Sequence, residues 1–360
     1  MVDDARADRD ALDYLRPRHV AVALALALAA CAWVAPTLAE APAALPSFLR
    51  LYIRASDSEL RRLDRGDAIT RTLQSPDSRE ITTLGAIRVA CRADTFFSRV
   101  RDVERFKASE YVLQIGRFAA TPSPADVAAL ELDEEDRRDL RVCRPGKCAL
   151  RLPAADITAM RDHVPWGTAQ ESAVAGEAMR AFIARQARDY VAGGSAALGD
   201  YADQSTPMPR AAAFHGLLRV SAFKGEYQPQ IFDFLGRFPT GDATGIESVL
   251  LWSREKFGLK PVTNITHSAI WRRDEIVVFA SKQVYTTHYF DASLGMSVFV
   301  PSPGTNHGYV TYMNRTRIEG LRGVLGGMVR AIATRRGRDG LERTLLDVRK
   351  KLEAEDKQDE

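Results

Sequence analysis

Glu275–Tyr285 reads EIVVFASKQVY, and this run decides the fold. Its β-branched and aromatic residues mark a strand, and Arg273-Asp274 just before it marks a turn. On its N-terminal side, Pro261–Trp271 is a second β-rich run. On its C-terminal side, Leu294, Met296, Val298 and Val300 alternate with other residues within Thr286–Val300. That alternation is the period-2 sign of a strand with one buried face. Pro301-Ser302-Pro303-Gly304 is a loop by composition, and Tyr309–Asn314 is a fourth strand. The period then changes. Ile318, Leu321, Leu325, Met328 and Ile332 fall three and four apart, as on one face of a helix. Leu341, Leu345, Val348 and Leu352 continue the pattern beyond a weak point at Gly337–Gly340. The expected fold is α+β: a curved antiparallel sheet gripping a long C-terminal helix, because each must bury its apolar face on something.

Upstream, Leu45–Asp64 predicts one short helix or two, and Gly66–Glu80 is polar with a turn at Ser75-Pro76-Asp77. Ile81–Cys91 reads as a strand, Ala93–Val103 as a helix and Tyr111–Phe118 as another strand. From Ala119 the character changes. Asp126–Leu140, Ala154–Asp162, Gln170–Val191, Ala196–Asp203, Phe214–Phe223, Ile231–Phe238 and Ile246–Phe257 are expected as helical or short amphipathic pieces, parted by Pro, Gly and polar turns. The strand at Ile81–Cys91 has few partners nearby and naturally joins the C-terminal sheet. The expected organisation is a leader (1–39), a helical lead-in (40–80), the first part of the core (81–118), a helical insertion (119–257), the sheet with its long helix (258–352) and a charged tail (353–360).

The leader carries Arg16 and Arg18 before an Ala/Val/Leu run ending at Pro36, with small residues at Thr37 and Ala39. This is the layout of a secretory signal peptide, and the periplasm of a bacterium is the compartment it implies. Leu28-Ala29-Ala30-Cys31 supports a second reading, lipidation at Cys31, and an uncleaved anchor is a third. Cys143 and Cys148 bracket Arg-Pro-Gly-Lys, a turn that brings two sulfurs together as a local disulfide in an oxidising compartment. Cys91 reads as a small buried hydrophobe. With 360 residues and a net charge of +3, the chain gives no reason to expect nucleic acid as a partner.

Leu84-Gly-Ala-Ile-Arg-Val89, followed by Ala93-Asp-Thr-Phe-Phe97 and Val100-Arg-Asp-Val103-Glu-Arg-Phe106, resembles the opening strand and helix of the START-like, or helix-grip, superfamily of lipid-transfer and polyketide-cyclase-type proteins. Tyr309–Asn314 running into a helix from Thr316 resembles its closing elements. The resemblance covers Ile81–Phe118 and Lys260–Leu352, and the block Ala119–Phe257 departs from it. It implies a terminal helix lying across a curved sheet, with a cavity between them that encloses an apolar or amphipathic molecule. Only a minority of such proteins are enzymes.

The chemistry-bearing residues are few. Phosphate loops, nucleophile elbows, His-x-x-x-His pairs and Cys₄ clusters do not occur, so neither cofactor nor metal is expected. Lys282, His288 and Asp291 lie close together in one expected strand, where periodicity gives Lys282 and His288 one face and Asp291 the other. Asn314, Arg315, Arg317 and Arg322 sit where the last strand becomes the helix. Thr316 and Glu319 have the spacing of a capping box there. The arginines suit an anionic headgroup at a cavity mouth, or else salt bridges to the acidic helical block. Gly320, Gly323, Gly326 and Gly327 are costly in a helix, which points to close packing, room for a ligand or a gate. Lys282, His288, Asn314, Arg315, Arg317, Arg322, Gly323 and Gly327 are therefore the candidate ligand contacts. Arg330, Arg335 and Arg336, with Arg338, form a basic end suited to a membrane surface or to the helix C-terminus. The leading functional reading is an exported carrier of an apolar or amphipathic ligand. Its rivals are an enzyme of the same fold using Lys282, His288 or Asp291, and an interaction module built on the helical block.

Overall fold

A computed structural model describes residues 49–50, 53–75, 77–219, 229–257, 260–321 and 326–357, all within the unit Leu45–Glu360. The leader, Cys31, Arg322 and Gly323 lie outside the described residues. The strands are β1 (Ile69–Leu73), β2 (Glu80–Val89), β3 (Val112–Arg117), β4 (Ile246–Phe257), β5 (Lys260–Arg273), β6 (Ile276–Thr286), β7 (Phe290–Pro301) and β8 (Gly308–Ile318). They form one antiparallel, curved and unclosed sheet in the order β1-β2-β8-β7-β6-β5-β4-β3. Strands β4 to β8 are a meander. The two edges are supplied by the N-terminal segment: β2 pairs along ten residues with β8, and β3 pairs with β4.

The helices are α1 (Asp57–Asp64), α2 (Ala93–Arg101), α3 (Val103–Lys107), α4 (Glu134–Val142), α5 (Ala154–His163), α6 (Glu171–Gly193), α7 (Arg210–Arg219), α8 (Pro229–Arg237) and α9 (Gly326–Asp356). They cover both faces of the sheet. On one, the insertion face, Phe214, Leu217, Phe234 and Leu235 of α7 and α8 pack on Leu84, Val278, Ala280, Leu294, Met296 and Met313. Farther along the same side, Met179, Phe182, Ile183 and Tyr190 of α6 pack on Leu250, Trp252, Ile265 and Tyr285. On the other, the grip face, Phe96 and Val100 of α2 and Leu341, Leu345 and Leu352 of α9 meet Ile87, Val89, Val277, Phe279, Phe299 and Val310. Each fully buried leucine there contributes about 1.5–3 kcal/mol.

Several expectations are corrected. Ile246–Phe257 is strand β4, not a helix: its alternate residues Leu250 and Trp252 face one core while Leu251 faces the other. β1 lies within the segment expected to be only a polar turn, because it is an edge strand of mostly half-buried residues. The terminal helix is one 31-residue element that passes through Gly337 and Gly340 without a break. Its sheet-facing residues are Leu341, Leu345 and Leu352, whereas Met328 and Ile332 are exposed at 57% and 48%. The helix follows β1 and β2 along the sheet edge instead of crossing the middle strands. The capping box at Thr316 does not form, since Thr316 and Arg317 still belong to β8 and Glu319 begins a short 3₁₀ turn. The Cys143–Cys148 disulfide is present, and Cys91 is buried with its thiol pushed up to about 12 by burial and by Asp356 and Glu353.

Gly85 sets how closely α9 approaches. A Cβ there would stand 2.7 Å from Leu345 Cδ1 and 3.1 Å from Leu341 Cδ2. Gly85→Val is expected to lower the unfolding free energy by about 1–3 kcal/mol in urea denaturation. An unchanged midpoint would mean that α9 is not seated there.

Candidate functional site

Residues directly opposed on neighbouring strands share a face, so pairing register converts sequence into rows across the grip face. One row, Ile87, Val310, Phe299 and Val277, is apolar, and Phe96 of α2 stacks on Phe299 at 5.5 Å. The next, Gly85, Tyr312, Ser297, Phe279 and Ile270, is mixed, with Phe106 of α3 edge-on to Phe279 at 5.4 Å. The following row is Thr83, Asn314, Gly295, Ser281 and Ser268. Beyond it, Thr316 opposes Ser293 and Gln283 opposes Thr266. The grip face therefore changes from apolar under α2 to uncharged polar where α2 and α3 end.

Some of these polar side chains, among them Thr83, Ser268, Ser297 and Thr316, are buried, and others are neither core nor open surface. Ser281, Gln283, Thr266, Tyr312, Asn314 and Ser293 are all half-buried. Asn314 Nδ2 donates to Tyr312 OH at 3.4 Å and to Ser293 Oγ at 3.5 Å, and Ser293 Oγ lies 2.9 Å from Thr316 Oγ1. Gln283 Nε2 donates to Asn264 Oδ1 at 3.1 Å. Ser268 Oγ is buried and has no hydrogen-bond partner among the described residues. A Cβ on Gly295 would stand 2.7 Å from Ser281 Oγ and 3.5 Å from Tyr312 OH, so glycine keeps the floor open between them.

At the rim, Lys107 Nζ lies 2.9 Å from Glu255, which also accepts from Ser253 Oγ at 2.7 Å. Burial raises the Glu255 carboxyl, but Lys107 and Ser253 outweigh it and hold the group below its ordinary value. The Tyr312 phenol is pushed up by burial, and the charge of Glu255 raises it further. The wall beside β2 is the first half of α9, where Arg330 Nη1 donates to Glu80 O at 3.0 Å and Gly337 lies against Thr83.

Of the sequence-derived candidates, Asn314 stands on this floor. Gly327 is exposed, and a side chain there would meet nothing within 4 Å. Arg315 and Arg317 do not lie on the grip face. Arg315 is buried on the opposite side of β8, its Nε 3.0 Å from Glu80 and its Nη1 3.2 Å from Leu217 O. Arg317 lies 3.5 Å from Asp77 and 3.6 Å from Asp291. Their partners are carboxylates of the core and the N-terminal segment, so the expected acidic block is not what binds them. Arg335 and Arg336 are exposed, and Arg330 is turned onto the edge of β2.

Lys282, His288 and Asp291 do not share one strand either. His288 is in the turn between β6 and β7, and its two ring nitrogens contact Asp136 Oδ1 at 2.9 Å and Ala149 O at 3.1 Å. Asp291 is buried in an ion pair with Arg151 at 2.7 Å. Lys282 is buried on the insertion face, its Nζ donating to Leu235 O at 2.9 Å and lying 4.3 Å and 4.9 Å from the Phe214 and Tyr190 ring centres. Tyr190 OH is 2.9 Å from His267 Nδ1. Burial, with the Lys282 charge added, depresses His267 to about 3, and burial depresses Lys282 to about 7. Among the described residues no cluster of His, Cys, Asp and Glu could hold a metal ion, and no helix is long and apolar enough to cross a membrane. No protein-family signature matches the chain, and no curated protein is significantly similar to it.

The Lys282 environment has a signature in stability. In the unfolded chain this amine titrates near 10.5 and in the folded chain near 7, so between those values the unfolded state binds the extra proton. Stability should therefore rise with pH across that window and be lost as pH falls through it, by up to a few (~2–4) kcal/mol. Urea denaturation at low salt between pH 7 and 10.5 checks this. Lys282→Met should remove that slope and stabilise the protein at pH 7. A slope unchanged in the variant would assign it to other groups.

Proposed function

We propose that the protein binds a small amphipathic molecule in the groove between the grip face and the first half of α9, as an exported binding or carrier protein of START-like type. The observation that carries this reading is the patch of half-buried, uncharged polar side chains, Tyr312, Asn314, Ser293, Ser281, Gln283 and Thr266, on a grip face that is apolar and covered under α2. A fold gains nothing in stability from half-burying a floor of hydroxyl and amide groups. Such groups orient a ligand's polar end, while Phe106 and Phe279 offer an apolar surface beside it. The order of elements fits the helix-grip resemblance: opening strand, two short helices, an edge strand, a meander whose last strand pairs with the first, and a long terminal helix. A Cys143–Cys148 disulfide is what the oxidising compartment implied by the leader permits.

The enzyme reading on Lys282, His288 and Asp291 gains no support from geometry, because His288 and Asp291 are each committed to other partners. Native mass spectrometry of the protein purified from its own cells, followed by organic extraction, tests the carrier reading. A stoichiometric amphipathic molecule is the expected result. Asn314→Phe, which fills the half-open floor, should reduce that occupancy at least tenfold while the melting temperature moves by only a few degrees. An empty protein that also takes up neither fluorescent fatty acid nor phospholipid would defeat the proposal.

A further inference from the structure

On the insertion face, a small cleft between α7, the turn after α6 and strands β6 and β7 is lined by Ser195, Tyr201, Arg210, Phe214, Lys282 and Asp291 among others. It has room for about one water-sized occupant. Two of its residues are buried basic groups, Arg210 at 5% exposure and Lys282 at 2%, the amine being cationic below about 7. Neither has a carboxylate within ion-pair distance among the described residues. Arg210 donates from Nε to Gly199 O at 2.6 Å and from Nη2 to Gln186 Oε1 at 2.8 Å, and its buried Nη1 has no partner among the described residues. Lys282 has a single carbonyl acceptor, Leu235 O, for three N–H bonds. Asp291, the carboxylate on the cleft, is neutralised by Arg151 at 2.7 Å with Arg317 nearby at 3.6 Å.

Buried charges are paired, because an unpaired one loses its hydration without recompense. Asp156 feels the Arg210 charge, yet among the described residues neither Arg210 nor a protonated Lys282 has a carboxylate at ion-pair distance, and both keep donors to spare beside one enclosed space walled by aromatic rings. A water molecule would satisfy Arg210 Nη1 but would leave the charge. We propose that this cleft is a binding site for a small monovalent anion of halide size, held by Arg210 Nη1 and Lys282 Nζ. The anion is separate from any ligand of the groove, which lies on the other side of the sheet.

Affinity should depend on pH through Lys282, which accepts a proton below about 7. The groups that face it do not compete over pH 6–9. His267 on β5 is neutral there, depressed to about 3, and burial raises the Tyr190 phenol of α6 far above that range. Arg210 of α7 donates to Gly199 O and Gln186 Oε1, Asp291 of β7 is paired with Arg151, and α8 contributes the Leu235 carbonyl.

The test is thermal unfolding of the full chain at constant ionic strength, with sodium chloride exchanged stepwise for sodium gluconate, whose anion is too large for the cleft. The expected result is a saturable, chloride-specific rise in melting temperature at pH 6, with an apparent affinity at least tenfold weaker at pH 9. Lys282→Met, which keeps the volume and removes the charge, should unfold cooperatively and show no such rise. A bromide soak of crystals should give an anomalous peak between Arg210 and Lys282. Equal effects of chloride and gluconate, a chloride response retained by Lys282→Met, or water alone in place of bromide would each overturn the proposal.

Discussion

The pairing of β2 with β8 is the constraint on which the structure depends. It joins Glu80–Val89 to Gly308–Ile318 across more than two hundred residues of chain, in unbroken register. Without it the C-terminal meander would end in an open edge, and α9 would have no strand to lie along. The register is locked where it can least slip. Arg315 on β8 is buried against Glu80 on β2, and Gly85 of β2 admits Leu341 and Leu345. A shift by one residue would turn Leu84 and Ala86 from their core to the other face and bury a charge without its partner. Because this contact is so distant in sequence, the chain between its halves must be held in place by other means. The insertion does so by packing its own helices against much of one face of the sheet, beside Leu49, Ile53 and Leu63 of the N-terminal segment.

The two faces then have different physical tasks. The insertion face carries two of the three apolar clusters and is sealed by α6, α7 and α8. Its few polar residues are exceptions with named partners, apart from the two basic groups beside the cleft. The grip face is divided. Near α2 it is apolar and stacked with aromatic rings, and farther from α2 it gives way to serine, threonine, asparagine and glutamine. The transition coincides with the end of the cover supplied by α2 and α3. A sheet can keep such residues half-buried at modest cost, because several of these uncharged hydroxyls and amides have a neighbour at hydrogen-bond distance.

Buried ion pairs organise the end of the sheet where β7 and β8 meet the N-terminal segment. Arg151, Asp291, Arg317 and Asp77 form a chain of contacts linking the insertion to β7, β8 and the turn before β2. Such a network specifies which segments meet more than it stabilises them, since both partners of each pair lose hydration. This is why arginines that look like headgroup ligands in the sequence serve as internal ties. Local spacing places Arg315 and Arg317 at the end of a strand but cannot supply the carboxylates of Glu80 and Asp291 that claim them.

The sequence by itself determined the parts with a strong local period. The meander from Lys260 to Asn314, the turn at Arg273-Asp274, the helix at α6 and the Cys143–Cys148 loop all follow from short-range chemistry, and so does the α+β class. It misassigned β4, because a strand buried on both faces has apolar residues at helix-like spacings, and only its pairing with β3 and β5 tells the two apart. It overlooked β1, whose residues carry little apolar signal. Of the groove it gave Asn314 alone. Tyr312, Ser281 and Gln283 were ordinary strand residues until register put them in rows, and Arg210, Tyr190 and His267 became neighbours of Lys282 only through the docking of the insertion. Periodicity says which residues share a face. Only the tertiary structure decided what each face meets, because burial, pairing and unsatisfied charge are properties of contacts between distant segments.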